Sequence, residues 1–136
     1  MADIATIRQG LARNLETIRN IQISAYMLAA PTPPCIHIFP ATIEFDRGMH
    51  RGLDIVAFTV EAFVAFGLDQ GGQMRLDRLL APSGAESVKE AIESDRTLGS
   101  AVQDVWVTRL SDYRVVLLPD ENDHSLRAGW LVSVNN

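Results

Sequence analysis

The sequence predicts an α+β domain, with a mostly antiparallel sheet and an N-terminal helix and a central helix pair packed on it. Three observations lead there. An amphipathic helical stripe opens the chain, and a long alternating apolar run, Leu53–Phe66, marks a strand near the middle. Two helical patterns joined through Pro82-Ser83-Gly84 then precede a series of strand-like segments. With 136 residues, 47% of them hydrophobic, the chain is expected to fold as one domain, 1–136, that buries a core without disulfides or metal.

The first helix is read from Ile4, Ile7, Leu11, Leu15 and Ile18, which recur at helical spacing while Arg8, Arg13, Glu16 and Arg19 fall on other faces. Asp3 is placed to cap it. The stripe reads as core facing a sheet, because its polar side lacks the lysine density of a membrane-surface helix. Ile21–Leu28 is read as a strand. In Ala29–Pro34 the prolines force an extended connection, a stiff crossing in preference to a polyproline docking site. Cys35–Phe39 and Thr42–Phe45 read as two short strands divided by Pro40.

Asp46–Gly52 is a polar, glycine-containing loop between apolar strands, the signature of a hairpin. In the run that follows, Val56, Phe58, Val60, Ala62, Val64 and Phe66 share one face, and Ile55, Ala57, Thr59, Glu61, Phe63 and Ala65 the other. Fully extended it would reach about 45 Å, so a bend, a bulge or a projecting end is expected. Asp69 is placed to cap the next helix, whose buried stripe is Leu76, Leu79 and Leu80 and which must stop before Pro82. Ser83-Gly84-Ala85-Glu86 fits a capping box for a third helix with Ala85, Val88 and Ile92 inside. After Thr97-Leu98-Gly99, three strands are expected: Val105–Leu110, Tyr113–Leu118 and Leu126–Val134. Ser111-Asp112 is read as a turn between the first two, and Pro119–Ser125 as an acidic loop before the third. Trp106 and Trp130 read as core or interface anchors.

The formal charge of −5 disfavours phosphate-backbone binding, which requires a cationic surface. Cys35 is the single cysteine, so no intrachain disulfide can form. The N-terminal residues carry acids and arginines in place of a signal peptide's apolar stretch, and no run approaches the ~20 apolar residues of a membrane span. Synthesis inside a cell is the expectation.

Residues suited to chemistry are sparse. Cys35 and His37 share a strand face, but a nucleophile needs an activating base and a metal needs three or four ligands. His50 and His124 stand in separate loops without ligand spacing. Glu61 interrupts an apolar strand; facing water or a subunit boundary is the favoured reading, a buried acid with a raised pKa the alternative. Gly71-Gly72 lacks the lysine and the glycine spacing of a phosphate-binding loop. No catalytic residue, metal site or cofactor is expected, and the chain is not read as an enzyme.

The segment LDRLLAPSGAESVKEAIESDRTLG, preceded by a long strand and Asp69, resembles the tail-terminator (tail-completion) proteins of long-tailed, non-contractile bacteriophages. SAYMLAAPTPP, FPATIEFDRGMHRG and the late Trp-Val-Thr, Tyr-Arg-Val and Ala-Gly-Trp-Leu-Val-Ser-Val strands extend the similarity over nearly the whole chain. The resemblance implies a structural virion protein made in the host cytoplasm. Its subunits would form a homo-hexameric ring at the head-proximal end of the tail. That ring caps the tail tube protein, ends polymerisation and meets the head-completion or neck protein, while DNA passes through the lumen without specific binding. Six copies at −5 each would carry about −30, which suits such a lumen.

On this reading Asp46, Arg47, Met49, His50 and Arg51 are interface candidates, because their loop would meet a neighbour or the tube. A merely solvated hairpin is the plain alternative. Arg47→Glu with Arg51→Glu is expected to impair tail joining without unfolding the chain; infectious particles in normal number would refute that placement. The rival readings are a head–tail joining neck ring and, from a different class, a small bacterial α+β ligand-binding domain.

Overall fold

The computed structural model describes residues 2–45, 54–67, 70–118 and 124–136. In chain order the elements are α1 (Ile4–Leu15), β1 (Gln22–Ser24), β2 (Cys35–Glu44), β3 (Ile55–Ala65), α2 (Gly71–Leu80), α3 (Val88–Glu93), β4 (Asp104–Leu117) and β5 (His124–Asn135). The strands form one sheet in the order β1-β2-β3-β5-β4; β1 pairs parallel with β2, and every other pairing is antiparallel. The α+β class is as the sequence predicts.

The three helices cover one face of the sheet. Ile7, Leu11 and Leu15 of α1, Leu76 and Leu79 of α2, and Val88 and Ile92 of α3 are buried there. They meet Ile36 and Ile38 of β2, Val56, Phe58, Val60, Ala62 and Val64 of β3, and the alternate β5 residues Leu126, Ala128, Trp130, Val132 and Val134. Each fully buried Leu, Ile or Phe contributes about 1.5–3 kcal/mol by leaving water, so this single layer supplies most of the driving force. Asp3 caps α1 as expected, accepting the Thr6 N–H at 2.8 Å.

Several local expectations are corrected. The strand read at Ile21–Leu28 is confined to Gln22–Ser24, and residues 25–34 run on as irregular chain. Cys35–Phe39 and Thr42–Phe45 form one strand, β2; it passes Pro40 through a register shift before Thr42, so the proline sits beside a bulge and does not end the strand. β3 itself pairs with β5 without a shift from Ile55 to Ala65. Val105–Leu110 and Tyr113–Leu118 likewise merge into β4, where Ser111-Asp112 marks a second register shift and not a turn.

The cap of α3 falls one turn later than expected. Ser87 accepts the Glu90 N–H at 3.1 Å, and Ala85 is exposed outside the helix. Glu90 reaches back to the Gly84 N–H at 2.5 Å. Asp69, the capping residue expected for α2, lies outside the described residues; Gln70 precedes the helix and offers no side-chain cap.

Candidate functional site

The face of the sheet turned away from the helices carries an ionic network at its centre. Strand register builds it. On β3, Glu61 stands opposite His37 of β2 and opposite Gly129 of β5, and Gly129 in turn stands opposite Asp112 of β4. Arg127 is two residues from Gly129 on the same face, within reach of both carboxylates. Its guanidinium pairs with Glu61 through Nη2 and with Asp112 through Nη1. Arg114 approaches Asp112 from the rim at 3.2 Å.

Glu61 is only 5% exposed and His37 only 3%. The favoured expectation that Glu61 faces water or a subunit boundary is therefore corrected: it is an acid buried within the chain itself, with a cation as partner. Placing a lone carboxylate there would be prohibitive, and Arg127 is what permits it.

His37 is held from two sides. Its Nδ1 accepts the Leu28 N–H at 3.0 Å, and its Nε2 lies 2.7 Å from Glu61 Oε1. An amide donor at Nδ1 leaves the proton of a neutral ring on Nε2, from which it is donated to the carboxylate. Phe39 and Phe63 meet the ring edge-on at 5.9 and 5.3 Å. Burial and the neighbouring positive charge of Arg127 hold the His37 pKa below its ordinary 6.5. With both nitrogens engaged inside the protein, this histidine has no lone pair for a substrate; the His–Glu pair is a structural tie and lacks the free basic nitrogen of a catalytic dyad.

Cys35 lies on the same face, packed with Phe63 and Leu118, and burial pushes its thiol up to about 11. It therefore carries no thiolate near neutrality. Cys35 and His37 do share a face, as their spacing predicts, but no group of three or more potential metal ligands comes together among the described residues.

No family model matches the chain, and no curated protein does.

A second feature lies on the helix-bearing face. Along β4, Leu110, Tyr113, Val115 and Leu117 stand in register with Trp130, Ala128, Leu126 and His124 of β5, yet are 43%, 41%, 45% and 59% exposed. Val105 and Val107, at the other end of the strand, pack into the core. The helices cover only that first half, so the second half forms an apolar ledge on an edge strand whose outer backbone has no partner strand among the described residues. Beside it, Leu80, Pro82, Lys89, Arg109 and Trp130 line a groove of about 200 Å³. The ledge had no distinct signature in the sequence, because its residues alternate like any half-buried strand.

The interface candidates Asp46, Arg47, Met49, His50 and Arg51 all lie outside the described residues. A larger groove of about 660 Å³ runs between the end of α1 and α3. The hydroxyls lining it already serve the helix ends: Thr17 donates to Asn14 O, Ser87 to Ala81 O and Ser94 to Ala91 O.

Proposed function

We propose that this chain is a structural virion subunit of the tail-terminator kind, which closes into a homo-hexameric ring, caps the tail tube and meets the neck. The observation that supports this reading is the apolar ledge of β4. Four large apolar side chains and a strand edge left open are costly to keep in water and invite a protein partner. A ring of identical subunits supplies one through a heterologous contact, in which the patch of one copy meets a different patch of the next. The acidic balance of the chain fits a lumen that DNA crosses without sticking. In this mechanism one face of the ring matches the last ring of tube subunits, and the opposite face cannot seed another.

The test is light-scattering mass over a concentration series, with electron-microscope images of the same fractions. A mass near six subunits with annular particles is expected, either alone or after purified tail tubes are added as template. A strict monomer that also leaves tube ends bare would overturn the reading.

A further inference from the structure

Residues 25–34 join β1 to β2, and Leu28 within them lies on the sheet face opposite the helices. Leu28 packs there against Cys35, Phe63 and Leu118. At its start the strap is gripped by Arg8, whose Nη1 donates to Ala25 O at 3.1 Å and to Ile38 O at 2.8 Å, with the guanidinium 4.8 Å from the Tyr26 ring centre. Beyond that grip, the Leu28 N–H is donated to His37 Nδ1, while nearer β2 the Gln22 N–H is donated to Pro34 O at 3.2 Å and the Thr32 backbone reaches the Cys35 thiol.

We propose that His37 and the Leu28 amide form an acid-released latch that holds the strap on the sheet at neutral pH. The tie needs the lone pair of Nδ1. A proton there turns the acceptor into a donor aimed at another donor, so the hydrogen bond is lost and the two N–H groups repel. The opposite nitrogen keeps its proton and its contact with Glu61, so the ring stays anchored while the strap lets go.

The charged surroundings set when this happens. Glu61 from β3 favours the imidazolium, and Arg127 from β5 opposes it. Arg127 is itself balanced by Asp112 of β4, which also holds Arg114. Arg8 of α1 adds positive charge at the strap, and Cys35 on the same strand stays neutral. With neutral His37 the two carboxylates and the guanidiniums of Arg127 and Arg114 cancel; a proton on the ring leaves one uncompensated buried positive charge. Burial and Arg127 together place the midpoint below 6.5, so the latch is closed at pH 7 and opens only on the acid side of that value. Release uncovers the apolar patch of Cys35, Phe63 and Leu118.

Amide hydrogen exchange in the intact chain, followed residue by residue by NMR from about pH 7.5 to about pH 4.5, tests this, with rates expressed as protection over an unstructured amide. Between about pH 6.5 and the lower His37 midpoint, Leu28 protection is expected to fall by up to about tenfold per pH unit, because opening takes up one proton there. Val60, in the middle of β3, keeps its protection over the same range. The fall should level off at the pH where the His37 ring resonances titrate. In His37→Asn the carboxamide oxygen supplies a non-titrating acceptor, and Leu28 protection should become flat with pH. Leu28 protection that does not change in the unmodified chain would overturn the proposal. So would a loss shared equally by Val60, or one that sets in only below the midpoint of the His37 ring. Should the variant fail to fold, the comparison of Leu28, Val60 and the ring within the unmodified chain still decides.

Discussion

Glu61 shows how one residue depends on strand register. In sequence it is an acid within an apolar alternation, and nothing local separates a solvated position from a buried one. Its partners stand at positions 37 and 127, and only the pairing of β2, β3 and β5 brings them together. The site was therefore legible as residue types but not as a constellation. Because the pair is buried, removing one charge should cost more than an exposed ion pair is worth. Glu61→Gln leaves Arg127 facing a neutral amide, and urea unfolding is expected to register a loss of about 3 kcal/mol. Arg78→Gln, which breaks an exposed pair with Glu86, should cost less than about 1 kcal/mol in the same assay. The pH dependence has a definite sign. The folded-state pKa of His37 is depressed, so the unfolded chain binds the proton more readily. The contribution of neutral His37 to stability is complete above about pH 6.5 and is lost as pH falls below it, by at most about 1.4 kcal/mol per pH unit. Urea midpoints taken across that window should decline, and His37→Asn should remove this part of the slope.

At the scale of elements, α1 is fixed to α3 and the turn after it by a close, polar corner. Asn14 is buried and donates to Ile92 O at 2.9 Å and to Asp95 O at 3.0 Å, which satisfies carbonyls at the end of α3. Asn14→Leu fits the apolar stripe but strands those carbonyls, so a loss of about 2 kcal/mol is expected in thermal or urea unfolding. One turn earlier, Gly10 lets the helix touch Leu98: an added Cβ would lie 2.8 Å from Leu98 Cβ. Leu98 has φ 51, in the left-handed region, and has little freedom to yield. In an open helix Gly→Ala gains about 1 kcal/mol. Here the clash outweighs that gain, and Gly10→Ala should lower the melting temperature. The helices were legible because a 3.6-residue stripe survives any tertiary context. The cap of α3 was not, since Ser83 with Glu86 and Ser87 with Glu90 both satisfy the same pattern. What selects the later pair is the burial of Ser87, whose hydroxyl also donates to Ala81 O at 2.5 Å. Ser111-Asp112 misled for a related reason: small polar residues suit a bulge as well as a turn.

For the molecule as a whole, the decisive property is the mismatch between a long sheet and a short helix layer. β4 spans 14 residues, whereas α3, which packs beside its first half, spans 6. The uncovered half keeps the alternation of a core strand, so the same side chains that would be buried under a longer helix face solvent. If this ledge seats the next subunit, its apolar character matters to assembly and hardly to folding, and the two effects separate in one experiment. Val115→Lys with Leu117→Lys changes side chains that are already about half exposed, so the monomer's stability should move by no more than about 0.5 kcal/mol per site. The ring, in contrast, would have to bury two ammonium groups at each junction, a cost repeated six times around a closed hexamer. Light scattering and electron microscopy should therefore find the double variant unable to form rings or to cap tube ends, at unchanged melting temperature. Val115→Glu with Leu117→Glu should behave alike, since the loss comes from burying charge and not from its sign. Rings that form normally in both variants would move the junction away from β4 and leave the ledge without a role in assembly.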